Sequence, residues 1–445
     1  MIRNCLIVLL LFVLHEGLYF LPEKAVVIPG VFRMSDALFV VFPFFAVTVR
    51  RTFSRYREES LIVVSFCALV FLSCLVGQFF WPQTYMQGLL NIRKNLFWLS
   101  FFLYVLLIRD IKEVEKLLKL LTGLAGIYVT LLILTKYFPN MGIIHFSERF
   151  YSKSAGTMRF GEHRLFFPYG TIPIMLYCIA LARLLYGPSG KGFGKMFLVV
   201  FILIVWYAIL SSFTRGIVYP LVIATVFALF RGGRRSVRFT AFGAMAVLAC
   251  VYVLSVAVNE GGGKAFEETK VGKLIFNAGS LEPERGREIQ ALMYLRGFER
   301  SPLTGVGTFA VRGTGGRAEE VDAIAYRKYG FFDAVDLGYL KILGENGLLG
   351  IAWVIWWYSY FFRRAKQTLR AAKMLGNMPF VEAFCQGVLY LMVYLLISGV
   401  TLGHWIHPNM ITILPLLLAL MAVTRVSVNR IATASGKASV PQYSR

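Results

Sequence analysis

Residues 196–230 read MFLVVFILIVWYAILSSFTRGIVYPLVIATVFALF, with Lys195 before them and Arg231 after. A helix needs about 20 apolar residues to cross the hydrocarbon core of a bilayer. This stretch is too long for one span and too short for two spans with a true loop. Its one interruption is the small polar run Ser211-Ser212-Phe213-Thr214-Arg215-Gly216. The stretch therefore predicts two membrane helices joined by a tight elbow. Both flanks are basic, which puts them in the cytoplasm, so the elbow faces outward and holds a cation at the rim of the membrane.

The same pattern extends along the chain. It has 445 residues, of which 57% are hydrophobic and 16% charged, with a mean hydropathy of +0.65. Soluble domains run nearer about 45–50% apolar and about 25% charged. The apolar residues lie in runs, which in lipid must become helices because the backbone has no other partner there. We read about twelve spans by the length criterion, at 5–21, 36–49, 61–81, 96–108, 117–138, 166–186, 196–213, 217–230, 239–258, 347–362, 381–400 and 410–423. The expected fold is an all-α polytopic membrane protein with one large periplasmic loop.

Basic residues set the orientation. Arg50, Arg51, Arg55 and Arg57 follow the second span, Arg109, Lys112 and Lys116 the fourth, and Arg231, Arg234, Arg235 and Arg238 the eighth. Arg363, Arg364, Lys366 and Arg370 follow the tenth. All are even-numbered exits, so both termini are expected in the cytoplasm. The chain divides into a transmembrane region 1–258, an outer loop 259–336 with short amphipathic helices, a second transmembrane region 337–424 and a cytoplasmic tail 425–445. The opening Met1-Ile2-Arg3 and its apolar run read as a retained first span, since no small-residue cleavage site follows.

The net charge of +23 comes from basic loops between apolar runs, which argues against nucleic acid as a partner. The six cysteines form no C-x-x-C pair and read as small buried apolar residues. His404 and His407 are too few ligands for a metal site, and 187–192, Gly-Pro-Ser-Gly-Lys-Gly, departs from a phosphate-binding loop. No metal or cofactor is expected.

Three places carry candidate chemistry. Arg215 at the outer elbow is either a snorkelling anchor or an anion site, because a guanidinium binds phosphate bidentately. In the outer loop, Arg287, Arg296 and Arg300 precede Ser301-Pro302-Leu303-Thr304-Gly305-Val306-Gly307, and 290–298 reads as an amphipathic helix on the membrane. These arginines suit a solvated face as well as a ligand. Next come Asp336, Tyr339, the i, i+4 pair Lys341 and Glu345, and Gly347-Leu348-Leu349-Gly350.

Together these pieces resemble the O-antigen ligase and O-antigen/exopolysaccharide polymerase superfamily of bacterial inner-membrane glycosyltransferases. The resemblance runs from about Ser211 to Ile351. It rests on the Arg-Gly at an outer helix hairpin, on Arg287 about fifteen residues before the Pro-x-x-Gly-x-Gly turn, and on Tyr339-Leu340 leading to Gly347–Gly350. Where ligases typically carry His-Asn, this chain has Asp336-Leu337, and an acidic residue there looks more like the polymerase members.

The resemblance implies a fold akin to the membrane-embedded C-type glycosyltransferases and a metal-independent reaction. The donor would be a glycan on undecaprenyl diphosphate, and the acceptor another glycan or lipid A-core. Arg215, Arg287, Thr214, Arg296, Arg300 and Tyr339 would bind substrate. Asp336 would act as general base, or else cap the helix that follows it. Membrane lipids and a polysaccharide chain-length regulator are the further partners implied. The reading of another class is a lipid-linked glycan flippase. Paired broken spans would mark a transporter, and the sequence shows none.

Overall fold

The computed structural model describes residues 2–15, 20, 34–37, 52–81, 83–137, 158–159, 162–163, 165, 171–187, 192–212, 215–231, 291–292, 294–308, 337–376, 378–400 and 412–436. The helices are α1 (Ile2–Leu14), α2 (Arg57–Phe80), α3 (Tyr85–Ile92), α4 (Ser100–Leu107), α5 (Ile111–Tyr137), α6 (Thr171–Tyr186), α7 (Gly192–Ser211), α8 (Arg215–Arg231), α9 (Gly338–Leu375), α10 (Pro379–Ser398) and α11 (Leu414–Ala434). A further helix covers 291–292 and 294–300. The only strands among the described residues are Met158–Arg159 and Glu162–His163, paired antiparallel.

Among the described residues, five helices are long and apolar enough to cross a membrane: Arg57–Phe80, Ile111–Thr135, Gly194–Ser211, Pro379–Ser398 and Leu414–Ala434. Ile2–Leu14, Thr171–Tyr186 and Gly216–Arg231 are shorter apolar helices. The expected spans other than the second and ninth overlap described helices, but those at 5–21, 96–108, 166–186, 217–230 and 347–362 fall on helices outside these five. The ninth lies outside the described residues, as does the second apart from the 3-10 turn Met34–Ala37.

Local sequence explains the helix ends. Glu58 and Glu59 lie in the first turn of α2, where the helix dipole favours acids. Thr84 and Gln87 form a capping box that starts α3. Asp110 accepts from the Glu113 amide at 2.8 Å before α5, and Pro415 opens α11 without losing a needed donor.

The chain forms two compact units. The first comprises Met1–Leu117, Arg285–Leu375 and Gly399–Arg445. At its heart Phe66, Trp98 and Trp353 meet with ring centroids 4.7–5.4 Å apart, and the Trp353 indole donates to the Ile62 carbonyl at 3.1 Å. One end of this unit is tied by charge. Glu59, fully buried, accepts from Arg425 at 2.8 Å and from the Tyr360 hydroxyl at 2.5 Å. Beside it Glu58 pairs with Arg363 and Arg364. Burial pushes the neighbouring Tyr56 phenol above its ordinary pKa, opposed by the Arg55 charge.

The second unit comprises Leu118–Glu284 and Gly376–Ser398. In it α6 packs against α10 and α7, α8 packs against α10, and buried polar side chains of α6, α7 and α8 satisfy one another. The Tyr177 hydroxyl meets Thr225 at 2.7 Å and accepts from the Trp206 indole at 3.0 Å. In a membrane pack such mutual satisfaction is what allows polar groups inside.

Candidate functional site

The elbow read from residues 211–216 belongs to the second unit. α7 ends at Ser211 and α8 begins at Arg215, so the polar run does separate two helices. Ser211 and Ser212 are buried. The Ser212 hydroxyl donates back to the Ile209 carbonyl at 2.7 Å, and the Ser211 carbonyl accepts the Leu165 amide at 2.9 Å. Arg215 is the first residue of α8; Thr214 and the Arg215 side chain lie outside the described residues.

A second elbow, which the sequence reading did not foresee, lies in the first unit. α9 is broken at Gly347, whose φ of 59° and ψ of −152° no helix accommodates. Residues 338–346 and 348–375 are two arms that fold back on each other. The Tyr339 and Tyr358 hydroxyls meet at 3.1 Å. Nineteen residues of straight helix would hold them about 28 Å apart. Gly350 passes so close to the first arm that a Cβ there would stand 2.8 Å from Ile342 and 2.6 Å from Asn346.

The arms run in opposite directions beside α2. The Glu345 carbonyl lies by Ser73, Trp353 by Ile62 and Ser65, and Tyr360 by Glu59. The second arm is therefore antiparallel to α2, and the first arm runs with it, toward its Phe80 end. The helix begins at Gly338, and the Leu337 carbonyl accepts the Lys341 amide at 2.7 Å. Leu337 thus holds the N-cap position, and Asp336 precedes it in sequence.

A helix break inside a membrane protein exposes backbone groups that must find partners. Here the turn 302–308 supplies them. The Val306 and Gly307 amides donate to the Gly344 and Glu345 carbonyls at 2.9 and 3.0 Å. The Leu348 and Leu349 amides donate to the Pro302 and Leu303 carbonyls at 2.8 and 3.2 Å. The far edge of the turn is held by α2 and the residues after it. The Thr308 amide donates to the Ser73 carbonyl at 3.1 Å, their hydroxyls meet at 2.9 Å, and the Gln83 side chain donates to the Thr308 carbonyl at 2.8 Å.

Glycine is required at the crossing point. Gly307 has φ +76°, and a Cβ on it would lie 2.1 Å from the Gly77 nitrogen. The two motifs read separately from sequence, Pro-x-x-Gly-x-Gly and Gly-Leu-Leu-Gly, are thus the two halves of one joint.

Behind the joint a cavity is lined by Ser73, Asn95, Thr308, Glu345 and Asn346 on its polar side and by Phe66 and Trp353 among its apolar walls. Glu345 is buried, and its carboxylate lies 3.7 Å from the Lys341 ammonium, the i, i+4 pair expected. Sequence reasoning missed Ser73, which sits in an apolar run, Asn95, which follows Arg93-Lys94, and Thr308, which sits in a loop. The one signal was Ser73 with Gly77, small residues one turn apart on a single face of α2.

A helix at 291–292 and 294–300 overlaps the expected 290–298. Tyr294 and Gly297 face the joint, with Gly297 against Val306, while Arg296 and Arg300 are exposed. Tyr339 is half-buried, and its amide donates to the Gly399 carbonyl at 3.0 Å. Arg287, Asp336, His404 and His407 lie outside the described residues. Among the described residues no cluster of His, Cys, Asp and Glu has the makings of a metal site.

A stretch that holds the 211–216 elbow, the helix at 294–300, the Pro-x-x-Gly-x-Gly turn and the broken α9 can be compared with known families. Residues 198–355 match the family model of O-antigen ligase. The match supports the O-antigen ligase and polymerase superfamily, and with it polysaccharide or lipopolysaccharide biosynthesis at a membrane. No curated protein matches the chain. The O-antigen ligase match begins inside α7 and ends inside the second arm of α9. It therefore spans the positions of Arg215, Arg287, Asp336 and Tyr339.

Proposed function

We propose that the protein transfers or polymerises glycan units carried on undecaprenyl diphosphate, at the periplasmic face of the inner membrane. The observation that carries this reading is the O-antigen ligase match over 198–355, coinciding with a built joint between the loop turn and the broken helix. In this reading the chain has about twelve spans by the length criterion, with both termini in the cytoplasm. Residues 259–336 form a periplasmic loop between transmembrane regions 1–258 and 337–424, followed by the tail 425–445.

An acceptor hydroxyl attacks the anomeric carbon of the donor glycan. The new glycosidic bond forms as the bond to the diphosphate oxygen breaks, and the electron pair leaves on the lipid diphosphate. Asp336 accepts the hydroxyl proton as general base. The N-cap position held by Leu337 supports this role over capping. Arg215 and Arg287 neutralise the charge that develops on the leaving diphosphate, and Thr214, Arg296, Arg300 and Tyr339 bind substrate.

Polymerase action is the first reading, because an acid stands at the position where ligases carry histidine. The acceptor is then another lipid-linked repeat unit, and a chain-length regulator is the expected partner. Ligase action toward lipid A-core is the second reading, favoured by the family's own description. Deleting the gene and resolving surface glycans on a gel distinguishes them. A polymerase leaves single repeats attached without a ladder. A ligase leaves a bare core while lipid-linked polymer accumulates. An unchanged glycan profile rejects both.

A further inference from the structure

The cavity behind the joint is used neither by the backbone bonds that close the joint nor by the chemistry proposed above. Separate parts of the first unit meet around it. Ser73 comes from α2, Asn95 from the 3-10 helix Arg93–Leu99, Thr308 from the turn, Glu345 and Asn346 from the first arm of α9, and Trp353 from the second. Its volume is about 20 Å³. A buried water needs about 10–15 Å³ and roughly two to four polar partners, so there is room for one water and little more.

Two of the lining side chains are amides with unmet hydrogen-bonding capacity. Asn95 and Asn346 are each only 6% exposed, and among the described residues neither side chain has a hydrogen-bond partner. Buried polar side chains in native proteins are nearly always paired, with protein or with water. The hydroxyls beside them are engaged with each other: those of Ser73 and Thr308 meet at 2.9 Å, and the Ser73 oxygen lies 3.4 Å from the Glu345 carbonyl. A hydroxyl oxygen has two lone pairs, which leaves these able to accept a further bond.

The lining also selects the occupant. The Glu345 carboxylate lies 3.7 Å from the Lys341 ammonium, so the pair carries no net charge, and an entering cation would meet that ammonium. An amide offers N–H donors as well as an oxygen, and a cation satisfies only the oxygen. A water both donates and accepts. We infer that the cavity is a hydration site, in which one ordered water is shared by the Asn95 and Asn346 side chains and pins the Arg93–Leu99 helix to the break in α9. The water thereby helps to set where the first arm, which carries Tyr339, stands. Such a pin acts whatever substrate the protein takes.

The test is a structure of the full-length protein in lipid at a resolution that shows ordered water, together with thermal melts of leucine variants. Density is expected in the cavity within about 2.7–3.2 Å of both amide side chains. Asn95→Leu and Asn346→Leu should each lower the melting temperature by a few degrees. The double variant should lose clearly less than the two losses added, because one water can be lost only once. Resolved side chains around a dry cavity would overturn the hydration site. So would leucine variants that melt at or above the parent, the result for amides that had no partner to lose. Additive losses would overturn the sharing of one water. A melting temperature raised by Na+ and not by choline in the parent, with the rise gone in Asn95→Leu, would make the occupant a cation and overturn the water as well. If neither leucine variant folds, the density alone decides.

Discussion

Asp336 and Arg215 carry the sharpest residue-scale predictions. Asn caps a helix nearly as well as Asp but accepts no proton in this role. Because the N-cap position belongs to Leu337, Asp336→Asn should leave the folded protein intact and lower glycan transfer by about a hundredfold, the size expected of a lost general base. Near-normal synthesis in membranes supplied with lipid-linked repeats would remove Asp336 from the chemistry. Arg215→Lys should lose most activity at normal expression, since a point charge does not replace a bidentate fork. Full glycan assembly by Arg215→Ala would show the arginine to be an anchor. Both residues stand out in the sequence as candidates because each is a charge beside an apolar run. Ser73, Asn95 and Thr308 were not, because a lone small polar residue gives no sign of the partner that folding brings to it.

At the scale of elements, the joint between the turn and the broken helix makes a contrast between glycines. Gly307→Ala would drive a Cβ into the backbone of Gly77 and Ser73, which cannot move aside. Gly436, with φ +63° and open space around it, would meet only the left-handed backbone cost of about 1–2 kcal/mol. Thermal unfolding in detergent should therefore show Gly307→Ala strongly destabilised or unrecoverable and Gly436→Ala only slightly affected. Similar melting for the two would mean the turn does not seat as described.

The ionic end of the first unit makes a second contrast. Arg425→Ala leaves the buried Glu59 without its guanidinium and should cost about 3–5 kcal/mol. Adding Glu59→Gln to it should recover part of that loss in the same melts.

The helices themselves were readable from hydropathy, including the boundary between α7 and α8. The break in α9 was not. Gly-Glu-Asn-Gly-Leu-Leu-Gly carries no proline, and its first arm is nine residues, too short to register as a span. What reverses the chain is a partner turn forty residues earlier in sequence, and no local pattern reports that.

For the whole molecule, the proposed orientation and chemistry stand or fall together, because the proposed donor glycan would be presented on the outer side. Cysteine placed at Gly262 should be labelled in intact cells by an impermeant thiol reagent, and cysteine at Ser435 should not; the reverse pattern would invert the topology. The most direct measurement of the central claim is made on the purified full chain, given undecaprenyl-diphosphate-linked repeat units in micelles, following glycan length and lipid product together. The account predicts longer lipid-linked glycans with undecaprenyl diphosphate released in step, both abolished by Arg287→Ala. Folded protein that neither lengthens the glycan nor releases the diphosphate, with repeat units or with lipid A-core as acceptor, would contradict it.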